Sequence, residues 1–420
     1  MADPKPTHIA MLCSPGVGHL IPFSDLAKHL ALHHNLTITL ITTQPIAYIP
    51  DSQQTILHSL PINVNLVSFP PPPNHSLPES AKAESRTMLG VSHNLPRLRE
   101  LLRSLTSSDN PPVALFVDHL AVDAFDVAVE FNLHPYIFFT TNCMALCFAL
   151  HLPQLDAVLT GDFRDIQEPL RVPGCPPIHV KDLPDVVLDR ENTAYVGFLR
   201  ILRRFVEAKG LIVNSFEELE PEAMKTLRDD ENHPHVYTVG PRVRTRSTEL
   251  VDRGECLRWL DEQPIGSVLY VSFGSGGTFT CEQLQELALG LEMSKQRFLW
   301  VVKRPNEKKP NGAYFGDQAA ESSLDFLPDG FLERAKGLGL TVSGWAPQVE
   351  VVALRPQVGD DGLVTRDEVC RVIKCLMEGV EGKKLRNRMK ELSLAATKAL
   401  AEGGSSFNSM SKLALELKNL

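Results

Sequence analysis

Short apolar runs alternate with longer helix-patterned stretches through the first half of the chain, and that alternation constrains the fold more than any other feature. Five runs have strand length: His8–Cys13, Thr37–Thr43, Asn63–Phe69, Val113–Asp118 and Pro135–Thr140. Between them, Leu20–His33, Glu84–Ser104 and Ala121–Phe131 read as helices. Strands alternating with helices predict a parallel sheet covered on both faces. The Pro70–Pro73 run must be a loop, because prolines cannot donate to a ladder. A sixth strand at Gly210–Asn214 leads into Phe216–Glu220, which is expected to open another helix.

The pattern breaks around Val239-Gly240-Pro241, and the polar Arg242–Glu249 stretch is expected to be an interdomain linker. It then restarts with a strand at Ser267–Phe273, a glycine-rich turn over Gly274–Gly277 and an amphipathic helix at Glu282–Met293. A strand at Arg297–Lys303, a polar insertion over Arg304–Ser323 and a strand at Leu340–Ser343 follow, with a further strand expected at Val351–Leu354. Thr365-Arg366-Asp367-Glu368 is a capping box opening a helix that runs to about Glu378. Two more helices are expected at Lys383–Glu402 and Ser406–Lys418. A length of 420 residues calls for two or three domains. The expected fold is α/β, with two Rossmann-like doubly wound domains at 1–241 and 250–405. A final helix, 406–420, is expected to pack back toward the first.

Composition narrows the partners. A net charge of −9 disfavours nucleic acid or an anionic membrane as the main partner. The eight cysteines are scattered, with neither a C-x-x-C pair nor zinc-ligand spacing, which suits reduced thiols in the cytosol. No signal-peptide pattern opens the sequence, and its most apolar window, Leu133–Leu152, is broken by Pro135 and Asn142. A soluble, cytoplasmic protein without a membrane span is expected.

Two polar residues stand where chemistry is expected in such a fold. The turn Ser14-Pro15-Gly16-Val17-Gly18-His19 follows the first strand. Its Gly-x-Gly lacks the third glycine of a dinucleotide fingerprint, and the second strand ends without an acidic residue, so NAD and FAD are not expected. In a sheet of order 3-2-1-4-5, strands one and four flank the crevice where ligands bind. His19 and Asp118 should meet there. A carboxylate on one imidazole nitrogen leaves the other free to accept a proton. The residues alone leave a second reading open, in which His19 merely starts a helix and Asp118 caps the next one.

His8–Pro22 (HIAMLCSPGVGHLIP), Val117-Asp118, Leu211–Glu220 (LIVNSFEELE), Val236–Pro241, Val268–Ser275 (VLYVSFGS) and Trp345–Val351 (WAPQVEV) occur in one order along the chain. In that order they resemble the plant family 1 UDP-glycosyltransferases, nearest the hydroquinone and phenylpropanoid glucosyltransferase branch. The resemblance implies a GT-B fold and inverting transfer of glucose from UDP-glucose to a small phenolic acceptor. It implies His19 as catalytic base and Asp118 as the residue that orients it. Gly18, Thr140, Ser275, Trp345, Ala346 and Gln348 would face the donor, with Trp345 against the uracil, Ser275 near the diphosphate and Gln348 at the ribose. UDP-glucose would be a co-substrate, with no metal or other cofactor, and the protein a monomer.

The resemblance breaks after Val351. The family box continues through a His-Cys-Gly-Trp-Asn-Ser stretch to an acidic residue followed by Gln, whereas here Val352-Ala353-Leu354-Arg355-Pro356 follows. About 50 residues would be missing, or about one and a half βα units. Helix N-terminal and histidine contacts to the diphosphate would go with them. Two expectations follow: a glucosyltransferase impaired on its donor side, or a non-catalytic shortened form that binds phenols or fails to fold stably. In either case the second sheet should lose strands and leave its neighbours' apolar faces uncovered.

Overall fold

The computed structural model describes residues 5–43, 51–72, 81–242, 255–274, 278–305, 324–343 and 363–420. They fall into two compact units, Met1–Arg244 with Ala395–Leu420, and Thr245–Leu394.

The first unit is built on a seven-stranded sheet: β1 His8–Cys13, β2 Thr37–Thr43, β3 Val64–Phe69, β4 Pro112–Asp118, β5 His134–Phe139, β6 Gly210–Val213 and β7 Val236–Thr238. Its order is β3-β2-β1-β4-β5-β6-β7, and every pairing is parallel. β1 is buried at all six positions, as a central parallel strand covered on both faces must be. Alternate residues serve opposite faces: Ala10 and Leu12 join one apolar cluster, Ile9, Met11 and Cys13 the other. Seven helices belong to the connections: α1 Val17–His34, α2 Asp51–His58, α3 Ala83–Thr106, α4 Phe125–Glu130, α5 Cys143–Val158, α6 Thr193–Arg203 and α7 Pro221–Asp229.

Three local features depart from the sequence reading. β7 is a strand that the Val236–Pro241 motif did not suggest. Phe216–Glu220 is a turn, and the helix starts only at Pro221, a residue suited to the first helical position. Arg242, expected in the interdomain linker, is buried: Nη1 lies 3.5 Å from Asp25 Oδ2 and its amide donates to Asn214 Oδ1. The remainder of that stretch lies outside the described residues.

The second unit contains α8 Glu255–Asp261, β8 Val268–Val271, α9 Cys281–Ser294, β9 Arg297–Val302, α10 Phe331–Arg334, β10 Gly339–Ser343 and α11 Arg366–Glu378. Its sheet is parallel, in the order β10-β9-β8. Trp300, Phe298 and Phe331 fill its core. Thr365 caps α11 by accepting from the Glu368 amide, and Arg366 pairs with Glu286 of α9. Val369 packs so closely on Gly290 that a Cβ there would lie 2.5 Å from it. Among the described residues β8 has one partner, β9, and Val268, Leu269 and Tyr270 are only half-buried. The polar insertion lies mostly, and the expected Val351–Leu354 strand wholly, outside the described residues.

The unit boundary falls inside α12, Val380–Leu400, and α13, Ser405–Lys418, belongs to the first unit. Met410, Leu413, Ala414 and Leu417, at helical spacing, enter the cluster that includes α1 and β1. Burying each large side chain contributes about 1.5–3 kcal/mol before entropy is charged. Tyr136 donates to Glu416 at 2.7 Å, and the Ser406 hydroxyl to the Gly240 carbonyl at 2.6 Å.

Candidate active site

β1 pairs with β2 on one side and β4 on the other, so successive connections leave β1 in opposite directions. The crevice at the carboxyl ends of β1 and β4 is the ligand position of such a sheet. At the end of β1 the chain turns through Gly16, whose φ of 112° is disfavoured for residues with a Cβ. The Gly16 carbonyl then accepts from the amides of His19 and Leu20 at 3.2 and 3.0 Å, so α1 begins with His19 in its first turn. A Cβ on Gly18 would meet nothing within 4 Å, which leaves room beside the turn.

His19 and Asp118 meet. His19 Nδ1 lies 2.7 Å from Asp118 Oδ2, across a sequence separation of 99 residues. An ionised carboxylate only accepts, so Nδ1 carries the proton of the neutral ring and Nε2 holds the lone pair. The His19 side chain is 25% exposed and Asp118 not at all. The second oxygen, Oδ1, accepts from the Leu120 amide at 3.0 Å. Asp118 thus turns the chain after β4 and holds the histidine with separate oxygens.

Burial opposes the Asp118 charge, yet the facing His19 and His119 rings and the Leu120 amide outweigh it, holding the carboxyl well below its usual range. Burial would also lower His19, but the charge and hydrogen bond of Asp118 prevail and raise it. The pairing therefore yields a somewhat stronger base with a fixed tautomer.

His119 was not singled out by the sequence reading. It stacks on His19 at 5.5 Å between ring centroids, packs on Phe139 at 4.9 Å, and sets Nδ1 3.6 Å from Asp118 Oδ1. Its buried Nδ1 has no hydrogen-bond partner among the described residues. Burial pushes this imidazole down to about 4, with Asp118 opposing and His19 adding to the fall. His119 is therefore neutral near pH 7. Its position directly after Asp118 at a strand end was the available signal. Donor atoms of His19, Asp118 and His119 lie within 4.8 Å of one another, a spacing open to a metal ion. Two of those residues are already committed to their mutual hydrogen bond.

Thr140 lies just beyond β5. Asp118 pairs in register with Phe138, which puts Thr140 at the same sheet edge. Its carbonyl accepts from Asn214 Nδ2 at 3.4 Å. The next helix, α5, starts under two caps. Asn142 Oδ1 accepts from the Ala145 amide at 2.9 Å, and buried Glu220 accepts from the Cys143 and Met144 amides at 2.8 and 2.9 Å. The Ser215 hydroxyl donates to the same carboxylate. The sequence reading put Glu220 inside a helix, where its capping role was invisible. Ser275, Trp345, Ala346 and Gln348 lie outside the described residues. No helix among the described residues is long and apolar enough to cross a membrane.

No family model matches the chain. Individual relatives do. It is 42% identical to hydroquinone glucosyltransferase of Rauvolfia serpentina, over 98% of both chains. It is 43% identical to UDP-glycosyltransferase 72B1 of Arabidopsis thaliana, over 100% of this chain and 98% of that one. Among solved structures, a UDP-glucosyltransferase from Polygonum tinctorium capable of glucosylating indoxyl, in complex with 3,4-dichloroaniline, superposes with a TM-score of 0.89 at 37% identity, covering 100% of both chains. UGT2 of Phytolacca americana with UDP-2-fluoro-glucose and pterostilbene gives 0.86 at 37% identity, over 99% of this chain and 100% of that one. The Rossmann-like first unit, the smaller parallel sheet of the second and these full-length similarities agree: the chain belongs to the plant family 1 UDP-glycosyltransferases.

Proposed function

We propose that this chain transfers glucose, with inversion, from UDP-glucose to the hydroxyl of a small hydroquinone-like phenol, and that it does so slowly because its donor side is shortened. The observation that carries the chemistry is the 2.7 Å bond between His19 and a carboxylate without solvent exposure. As the phenolic oxygen attacks C1 of glucose, Nε2 of His19 takes its proton and the bond from C1 to the UDP oxygen breaks on the opposite face. Asp118 stabilises the imidazolium that forms. A phenol has a pKa of about 10 and histidine about 6.5, so proton transfer must accompany attack rather than precede it. No metal enters this scheme.

The substrate class rests on the relatives, named for hydroquinone or bound to flat aromatic compounds and a UDP-sugar. Gly18 is assigned to the donor and Thr140 to the transferred sugar. By motif, Ser275 is assigned to the diphosphate, Trp345 and Ala346 to the uracil, and Gln348 to the ribose.

The slowness rests on the break after Val351. The alignment with the Arabidopsis relative spans 470 positions, while all of this chain supplies 420 residues; 470 less 420 leaves about 50 positions of the relative without a counterpart. A strand among them would suit the edge of β8 that has no partner among the described residues. Losing one contact that stabilises developing negative charge costs about 100-fold or more, and here several leave together. The same break favours a second reading, in which the chain binds phenols without converting them.

Incubation of the purified protein with UDP-glucose and hydroquinone, with chromatographic detection of the glucoside, tests the proposal. Expected turnover lies at least about 100-fold below an ordinary 1 s⁻¹ and vanishes in His19→Ala. Ordinary rates overturn the impairment, and turnover indifferent to His19→Ala overturns the base. Hydroquinone binding with no product selects the second reading.

A further inference from the structure

Three cysteines unused by the transfer chemistry gather at α5. Cys143 and Cys147 lie one turn apart on that helix. Cys175 comes from a tight loop closed by the antiparallel bridge between Leu170 and Ile178, where each amide donates to the other's carbonyl at 2.8 and 2.9 Å. The loop lies directly against Cys147: a Cβ built on Gly174 would be 3.0 Å from Cys147 Sγ. Cys175 Sγ donates to the Met144 carbonyl at 3.3 Å, and Cys147 Sγ to the Ala223 carbonyl at 3.8 Å. Cys147 is buried, whereas Cys175 is half-buried and lines an open groove with Gly174, Glu222, Lys225, Thr226 and Asp229.

We propose that Cys147 and Cys175 form a peroxide-sensitive thiol pair, in which Cys175 reacts first and Cys147 closes a disulfide onto it. Access selects the order, since only Cys175 opens onto the groove. The neighbouring Cys147 lowers the Cys175 thiol, and Cys175 together with burial raises Cys147 well above the usual thiol range. Cys143 is not a competitor. Its sulfur is buried 3.2 Å from Met224 Sδ, and burial with Glu220 pushes it up to about 12. The groove also selects the oxidant, because Glu222, Asp229 and Asp230 outnumber Lys225 there and disfavour anionic disulfides relative to neutral hydrogen peroxide.

The Cys175 thiolate attacks one peroxide oxygen; the S–O bond forms, the O–O bond breaks, and the departing hydroxide takes a proton to become water. Cys147 sulfur then attacks the Cys175 sulfenic acid. The S–S bond forms, the S–O bond breaks, and the leaving hydroxide takes the Cys147 proton as a second water. Two thiols are oxidised by two electrons and one peroxide is reduced to two waters. The loop closed by residues 147 and 175 would then be tied covalently to α5.

The test exposes the folded protein to a slight excess of hydrogen peroxide, alkylates it, and maps its peptides without reduction. Two of the eight cysteines should become unalkylatable and appear as a Cys147–Cys175 cross-link that thiol reductant removes. In Cys147→Ser, whose folding is checked by its melting curve, Cys175 should instead be trapped as a dimedone-reactive sulfenic acid. Cys175→Ser should leave Cys147 unmodified. Oxidation confined to other cysteines, or over-oxidised Cys175 without a cross-link in the wild-type protein, overturns the pair.

Discussion

Asp118 uses its two oxygens for different partners, and the consequence is a pH dependence of predictable sign. Its folded carboxyl is held well below the unfolded value, so the stability it contributes is present above about pH 4 and lost as pH falls through the folded value. His19 is raised, so its contribution is complete below about pH 6.5 and lost as pH rises through the raised value. The pair therefore supports the fold most between about pH 4 and 6.5, while the proposed base works above that window, where His19 is neutral. In Asp118→Asn, burial acts on His19 unopposed. Its NMR titration should move from above the ordinary histidine value to below it, and glucoside formation should fall by about 100-fold or more. A His19 titration unchanged by the substitution would show that Asp118 does not set its proton affinity. His119, driven to about 4 by burial, titrates well below His19 and does not confuse the readout. The meeting of His19 and Asp118 was legible because parallel topology dictates which strand ends share a crevice. His119 was not, since sequence does not tell which residue after a strand turns inward.

At the scale of elements, apolar period and strand length marked nearly every piece of the first sheet, because its central strands are buried on both faces and cannot be polar. The failures came where a polar residue is satisfied by tertiary partners. Phe216–Glu220 looks helical from its glutamates, yet Glu220 turns back to the start of α5, and a carboxylate on two amides and a hydroxyl outweighs local propensity. Arg242 looked like linker for the same reason, its Asp25 partner lying far away in sequence. Glu220→Ala leaves those donors without their acceptor in a buried site and should cost about 2 kcal/mol. Glu220→Gln, which keeps one acceptor oxygen, should cost about half as much. Chemical denaturation read by tyrosine and tryptophan fluorescence measures both, and equal losses would show that the helix start does not depend on the second oxygen.

For the whole molecule, the decisive contrast lies within the units themselves. Among the described residues, the first has a sheet of seven strands and two apolar clusters, whereas the second has three strands with a half-buried edge at β8. An apolar parallel strand normally has a partner and a covered face on each side, so the second unit should melt first, as a separate calorimetric transition. The donor residues Ser275, Trp345, Ala346 and Gln348 were named from motif alone, and the proposed break beside them rests on the same motif. If the proposed break lies there, inserting the family box's continuation from the Arabidopsis relative between Val351 and Val352 should give β8 a second partner and supply diphosphate contacts. The two transitions should then approach one another, and kcat/KM for UDP-glucose with hydroquinone should rise by about 100-fold or more. Restored melting without restored turnover would mean that the break governs stability alone and that the catalytic deficit lies elsewhere. Restored turnover with His19→Ala still inactive would join the two sites in one reaction, because a base is useful only once the leaving UDP is held.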